Sequence, residues 1–508
     1  MIAERTDPDK AIHKNGGYFS PPNEGTAWEQ AGHNNAFPYR LVSLFAPAPK
    51  LNVELFWQGS YGQERFYWSE PATSGASMVL AGIGSAAEII IPPVLETAID
   101  EPHLPGHRFS AVAQEACALF ERSIVLPADR GSPDVAAKEW QAHPARPRLF
   151  GGFAFQDDFV PDNTWSVFSP AQFILPHYQF IQTGGESYLT INALVSTDED
   201  FSSVYRGLSD ALQARLELML PADERTNALV DINYPLPAER WAEMIDRAKG
   251  AIRSGELKKV VLARVCEVRT ENTIDAAAAL PFLNRNYGDC YRFIFEPVPH
   301  HAFFGATPEL LVRKDVDQLG TMALAGSTAR GLDPQADAAL GRELLSSAKN
   351  RHEHQLVVNT IRTNLRDMTS ELEIPSEPTL LKLQNIQHLL TPISGRLRDS
   401  DTSVLSLAGR LHPTPAMGGV PAGLALSYLS ELEPVPRGWY ASPIGWFDAE
   451  HNGEFAVAIR SAVSQHARAW LYAGAGIVGD SDAGQEWAET ALKFRPMLGA
   501  LGIGESVL

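Results

Sequence analysis

Along this chain the spacing of apolar and polar positions changes period repeatedly, and each change delimits an element. From about residue 36 to 230, short runs rich in β-branched and aromatic residues, "RFYWSEP", "RLFGGFAF" and "YQFIQ", are separated by Gly, Pro and Asp turns and predict strands. Stretches near 109–122 and 201–219 have the helical period instead. Around "NYPLPAERW" the texture changes: Ala238 to Ser254 predicts a helix and "KKVVLARVCEV" a β-branched strand. Strands at "YRFIFEP" and "HAFFGA" follow, then a long helix from about Pro334 to Met368 with Leu340, Leu344, Ala348, Leu356, Ile361 and Leu365 facing the core. "GWFDAE" and "GEFAVAIRSAV" read as paired strands turning at His451, Asn452 and Gly453. A last strand, "AWLYAGAG", leads into a final helix from about Ala483 to Met497.

Strands joined by hairpins and long loops, with helices between some of them, predict an α+β fold: antiparallel-rich sheets with helices outside, rather than regular βαβ alternation. Residues 1–35 are polar and rich in Gly, Asn and Pro, an extension without periodicity. A scaffold half over 36–232 and a catalytic half over 233–502 are expected to pack into one globule. The sequence contains no repeat of fixed period and no low-complexity tract.

Composition narrows the function classes. Hydrophobic residues at 44% and charged residues at 20% are those of an ordinary globular protein of 508 residues, which can bury a large core. Forty-two Lys and Arg against sixty-one Asp and Glu give a net charge of −19, a field that repels nucleic acid and anionic lipid. A small anionic substrate then needs a local cluster of cations or a metal. Three scattered cysteines, Cys117, Cys266 and Cys290, support neither a disulfide framework nor a zinc knuckle and fit a reducing cytoplasm. The apolar run from Met78 to Pro93 is broken by Gly82, Gly84 and Glu88, and Met1 to Lys10 lacks an apolar signal core, so no membrane span is expected.

Gly474, Gly476 and Gly479 form a G-x-G-x-x-G between a strand and a helix, the pattern of a dinucleotide site. The helix that follows opens with Asp480 and Asp482 and carries Glu486 and Glu489, negative charges where a pyrophosphate would sit. A tight strand-to-helix turn is the plainer reading, and backbone donors aimed at a substrate carboxylate are a third.

Chemistry-bearing side chains concentrate on two predicted helices. Glu486, Glu489 and Lys493 are spaced i, i+3, i+7 and share one face, as an exposed Glu489–Lys493 pair would also require. Glu353 lies in "KNRHEHQLVV", a polar cluster in mid-helix that also reads as a solvated face. His352 and His354 point to different sides and cannot form H-E-x-x-H, which argues against zinc. Carboxylates converging from both helices would suit Mg²⁺, a hard cation that retains several waters.

The chain resembles the chorismate-utilising enzymes, the family that includes isochorismate, salicylate, anthranilate and aminodeoxychorismate synthases. The resemblance runs from about 235 to 500 through "KVVLAR", "GATPELLVR", "LAGSTARG", "RHEHQLV", "IQHLLTPISGRL", "HPTPAMGG", "PIGWFD", "GEFAVAIRSA", "AGAGIV" and "EWAETALK". The first half more distantly resembles the long amino-terminal region of menaquinone-type isochorismate synthases. The resemblance implies that Glu353 and Glu489 bind Mg²⁺ directly and Glu486 through water, the metal holding the ring carboxylate of chorismate. It implies that Arg460, Lys493, Tyr440 and backbone N–H near Gly474 hold the enolpyruvyl carboxylate. His388, Gly326, Ser327 and Ala416 fall where the family lines its ring pocket.

Adding water at one ring carbon while expelling hydroxide from another requires a base and an acid. By resemblance these are Lys259 of "KVVLAR" and Glu309 of "TPELL". The lysine would be made a base by desolvation and neighbouring positive charge, and Glu309 kept protonated by burial or nearby anions. Anthranilate synthases usually carry a neutral residue at the lysine position and take ammonia from a glutaminase partner; Lys259 argues for water and for no such partner. Ala325 stands where many aminodeoxychorismate synthases place a nucleophilic lysine. "HPTPAMGG" resembles the enzymes that stop at isochorismate, with salicylate synthase, which also eliminates pyruvate, the alternative. The long first half favours menaquinone over siderophore supply.

Overall fold

The computed structural model describes residues 38–72, 77–93, 106–129, 140, 142–218 and 229–503. The predicted extension over 1–35 lies outside them. Among the described residues, strands pair into one branched, mostly antiparallel network that forms two layers. The first layer runs β4 (Ile124–Pro127), β1 (Tyr39–Pro47), β7 (Glu186–Ser196), β6 (Ala171–Thr183), β3 (Val79–Ile91), β2 (Arg65–Ser69), β10 (Tyr291–Val298), β11 (His301–Thr307), β20 (Ser461–Gln465), β21 (Arg468–Ile477) and β9 (Lys259–Thr270). The second runs from β6 through β5 (Arg148–Phe153), β18 (Pro443–Asp448), β19 (Gly453–Val457), β12 (Leu310–Asp315), β13 (Gln318–Ala329) and β16 (Ile386–Leu397).

The long β3–β6 ribbon belongs to both layers. Its Val79–Ile83 end pairs with β2, and its other end, at Ala171 to Ile174, pairs with β5. The ribbon turns at Gly84, whose φ of +67° suits glycine, next to the Ser85–Pro176 pair and the register shift between Ser85 and Ala87. Strands from the two halves of the sequence alternate: Phe66 of β2 faces Phe295 of β10, and Phe150 of β5 faces Trp446 of β18. The halves therefore share each layer.

Between the layers lies an aromatic core. Phe66, Trp68, Phe293 and Phe303 from one side meet Phe150, Ile444 and Trp446 from the other, each buried side chain of this size contributing about 1.5–3 kcal/mol. Helices cover the outer faces, as predicted. α1 (His107–Phe120), α6 (Ala348–Leu365) and α7 (Val404–Leu411) cover the second layer; α2 (Phe201–Glu217), α4 (Leu280–Asn286) and α9 (Ala483–Ala500) cover the first. Among the described residues no helix is long and apolar enough to cross a membrane.

Three expected elements differ. The long helix is two, α5 (Pro334–Ser346) and α6, because Ser347 leaves helical geometry and caps α6, its hydroxyl accepting from the Asn350 amide. Leu344, Ile361 and Leu365 are buried as expected, and His354, Val357 and Val358 complete the core face of α6; Leu340 and Leu356 are only half-buried and Ala348 is exposed. "GEFAVAIRSAV" breaks into β19 and β20 at Ala458 to Arg460, where the chain changes layer. The final helix continues past Met497 to Ala500 and contains Pro496.

Gly151 sits at the seam between layers, where an added Cβ would lie 2.0 Å from the Gln172 carbonyl oxygen and 2.7 Å from Phe173 Cα. Gly151→Ala is expected to lower stability by about 1–3 kcal/mol through overpacking, read from the denaturation midpoint. An unshifted midpoint would mean that the seam yields without cost.

Candidate active site

The chain passes from the first layer to the second between β11 and β12, and returns between β19 and β20. Glu309 stands in the first passage and Arg460 in the second. Three hydrogen bonds lace them together: Thr307 Oγ1 to the Val457 carbonyl at 2.6 Å, the Val457 amide to the Glu309 carbonyl at 2.9 Å, and the Ala306 amide to the Arg460 carbonyl at 3.1 Å. Arg460 has φ of +51°, a strained backbone state for a residue with a side chain, held here by its neighbours.

The passages open onto a cavity of about 270 Å³, and every candidate named from the sequence lines it. Lys259, Gly474 and Gly476 come from the β9–β21 pair, and Glu353 from the first half of α6. Glu486, Glu489 and Lys493 come from one face of α9, as their spacing predicted. Gly326, Ser327 and His388 come from β13 and β16, where Gly326 has φ of +78° at a bulge between Ala325 and Ser327. Ala416 and Tyr440 complete the wall with Glu309 and Arg460.

Two glycines of the G-x-G-x-x-G, Gly474 and Gly476, have a use unrelated to phosphate. A Cβ on Gly476 would lie 3.0 Å from Lys259 Cε and 3.2 Å from Glu353 Oε1; on Gly474 it would lie 3.2 Å from the Tyr440 hydroxyl. Gly474 presents its carbonyl to Lys493 Nζ at 2.7 Å.

Two ion pairs lie in the cavity, one between β9 and α6 and one along α9. Lys259 Nζ donates to Glu353 Oε1 at 2.6 Å; Lys493 pairs with Glu489 at 2.8 Å, and Ser327 Oγ donates to the same carboxylate at 3.1 Å. The neighbour expected beside Lys259 was a cation, and the structure places an anion there. Glu309 is buried, and that burial pushes its carboxyl up to about 8, against the pull of Lys259, Arg460 and Lys493. Nearby anions, the other cause considered, are not what raises it. Burial and the charge of Glu489 push Glu486 up to about 7. Glu489 is raised by burial but pulled lower overall by Lys493 and Ser327. His388 is pushed down to about 3 by burial and by Arg460 and Lys493, so its ring is neutral and its Nε2 faces Arg460 Nη2 at 3.4 Å. Burial lowers Arg460 and raises the Tyr440 phenol to about 12.

Glu353, Glu486 and Glu489 all face the cavity with oxygen donors suited to a hard divalent cation. Glu486 is raised first by burial and then by the charge of Glu489, and a cation placed between the two carboxylates would offset the second of these. Among the described residues no three His, Cys, Asp or Glu side chains are gathered closely enough to hold a metal as a cluster; two of these carboxylates are held by lysines instead.

Sequence reasoning missed part of the wall. Lys349, Asn350 and Gln485 also line it, and helical spacing could have found them: they precede Glu353 or Glu489 by three or four positions on the same faces. Met417 and Ile459 adjoin residues already named.

A family model described as "Chorismate binding enzyme" matches residues 27–502. Isochorismate synthase MenF of Bacillus subtilis (strain 168) is 36% identical over 444 residues, 87% of this chain and 88% of that one. The salicylate biosynthesis isochorismate synthase of Pseudomonas aeruginosa is 40% identical over 363 residues, 70% and 75% of the two chains. MenF, the menaquinone-specific isochorismate synthase from Escherichia coli, superposes with a TM-score of 0.72 at 25% identity, over 93% of this chain and 96% of its own. Anthranilate synthase component I of Streptococcus pneumoniae TIGR4 shares the fold, with a TM-score of 0.61 at 18% identity over 98% of this chain and 100% of its own. With the model match spanning nearly the whole sequence and the motif side chains gathered around one cavity, this chain belongs to the chorismate-binding enzymes.

Proposed function

We propose that the protein is an isochorismate synthase, converting chorismate to isochorismate with Mg²⁺ and supplying menaquinone synthesis. The observation that carries this reading is a buried lysine and a buried, protonated carboxyl facing one cavity, Lys259 and Glu309. Lys259 acts as the base that takes a proton from the attacking water; Glu309 gives its proton to the departing ring hydroxyl. One water enters and one leaves, so the reaction is an isomerisation.

Glu353 and Glu489, with Glu486 through water, would hold Mg²⁺, which when bound neutralises and orients the ring carboxylate of chorismate. Glu353, which accepts from Lys259 Nζ at 2.6 Å, would exchange that lysine for the metal, leaving Lys259 to act as the base. Arg460 and Lys493 take the enolpyruvyl carboxylate, supported by Tyr440 and the Gly474 backbone. Neutral His388, with Gly326, Ser327 and Ala416, shapes the pocket around the ring. The menaquinone role is supported by the likeness to MenF along nearly the full chain.

Product analysis of chorismate incubated with the protein and Mg²⁺ is expected to show isochorismate, no pyruvate, and no aminated product when ammonium is added. Pyruvate release would make the protein a salicylate synthase, and removal of divalent cations with a chelator should stop turnover. Lys259→Ala is expected to reduce turnover by about 10²–10⁴-fold in a protein that remains folded; full activity in this variant would remove the base assignment.

The pH dependence follows from Glu309, which ionises near 8 in the folded protein against an ordinary 4.5. The acid form is the working one, so kcat/KM should fall as pH rises through about 8. Stability moves with it: burying the ionised form costs nothing below pH 4.5, progressively more up to about 8, and a constant amount above. Glu309→Gln should therefore lose activity while gaining stability over wild type as pH rises across that window. A wild-type profile flat through pH 9 would refute the acid assignment.

A further inference from the structure

Strand β9 carries Lys259 at its start and is covered unevenly. One edge pairs with β21 from Val260 to Arg269. On the other edge, β17 (Gly419–Val420) covers Lys259 and Val260, and β8 (Leu229–Asn233) covers Glu267 to Thr270. Among the described residues no strand pairs with the interval between them, and buried backbone groups left without partners there would be costly.

Side chains stand in for the missing strand. Arg437 Nη2 donates to the Val261 carbonyl at 2.6 Å, and Glu433 Oε1 accepts from the Ala263 amide at 2.8 Å. The two form a buried, two-pronged ion pair, with Nη2 to Oε1 at 2.6 Å and Nε to Oε2 at 2.8 Å, so each fixes the orientation of the other. The same guanidinium donates through Nη1 to the Met417 carbonyl at 2.8 Å, in the loop that carries Ala416. The Arg437 backbone carbonyl accepts from the Tyr440 amide at 2.9 Å, and its guanidinium lies over the Phe155 ring at 4.3 Å. Val261, Met417 and Tyr440 line the cavity, whereas Glu433 and Arg437 do not.

A buried ion pair is by itself a weak source of stability, and apolar side chains of similar volume would often do as well. They could not donate to one group of a strand edge and accept from the next. We infer that Glu433 and Arg437 are positioning residues, which together set the Lys259 strand against the Ala416–Met417 loop and the Tyr440 turn. The inference rests on the reading of Lys259 as the base, where a displacement of about 1 Å can cost about a hundredfold in rate.

Arg437→Met keeps an apolar stem beside Phe155 and removes all four hydrogen bonds that the guanidinium donates. In hydrogen exchange without substrate, protection over residues 259–266 is expected to fall by about tenfold or more, with 301–307 unchanged. With chorismate and Mg²⁺, kcat should fall about ten- to a hundredfold while KM stays within about threefold. Arg437→Lys, which retains the ion pair but reaches fewer carbonyls, should recover part of the loss. Unchanged exchange over 259–266, a kcat equal to wild type, or a loss confined to KM overturns the inference. If Arg437→Met does not fold, Glu433→Gln, which keeps an acceptor for Ala263 and lacks the ion pair, carries the same readouts. Should the wild-type protein fail to turn over chorismate, the functional reading falls, and the exchange measurement still decides whether the pair holds the strand.

Discussion

Two strand layers that pack face to face must be connected, and here the connections are hydrogen-bonded to each other. The Val457 amide donates to the Glu309 carbonyl, and Thr307 and Ala306 bind the returning strand at Val457 and Arg460. The side chains of Glu309 and Arg460, which emerge at these passages, are both buried and line the cavity. A carboxyl and a guanidinium placed there are desolvated together. Burial raises the first and lowers the second, moving each toward its neutral form. The strained φ at Arg460 is part of that arrangement: it turns the chain between layers while the side chain remains in the cavity.

Electrostatics of the whole molecule and of the cavity oppose one another. A net charge of −19 would repel a dianion from most of the surface. Inside the cavity Lys259, Lys493 and Arg460 face Glu353, Glu486, Glu489 and Glu309, and the last of these is neutral at pH 7 because of burial. The lysines hold two of the carboxylates at 2.6 and 2.8 Å. Ligand charge and metal charge can therefore enter by exchanging partners rather than by creating unpaired charges in a low-dielectric space.

Runs of β-branched and aromatic residues between turns made most of the strands legible although β2, β5, β11, β18 and β19 are buried at every position, and the helical period marked the outer helices. The same rule failed where tertiary geometry overrides a continuous pattern. Apolar spacing runs smoothly across Ser347, yet its hydroxyl cap ends one helix and begins another. The apolar run from Phe455 continues through Ile459, yet the chain changes layer at Ala458 to Arg460. The cavity side chains were legible through resemblance and, on α9, through spacing, which also offered the Glu489–Lys493 pair; the Lys259–Glu353 pair was not legible, since its members are 94 positions apart. Glu433 and Arg437 lie in an unremarkable loop, and only the gap in the cover of β9 gives them meaning.

The glycine motif at 474–479 illustrates how one pattern serves two different physics. In a dinucleotide fold the glycines bring backbone close to a pyrophosphate. Here Gly474 and Gly476 lie within a strand paired along its length with β9, and what approaches them are side chains from opposite elements: the Tyr440 hydroxyl, Lys259 Cε and Glu353 Oε1, all within 3.2 Å of a Cβ that is not there. An alanine at 476 would press on both members of the Lys259–Glu353 pair at once. The smooth wall is thus the counterpart of the crowded one, and the acidic helix after it, wrong for phosphate, is the element that brings Glu486, Glu489 and Lys493 to face it.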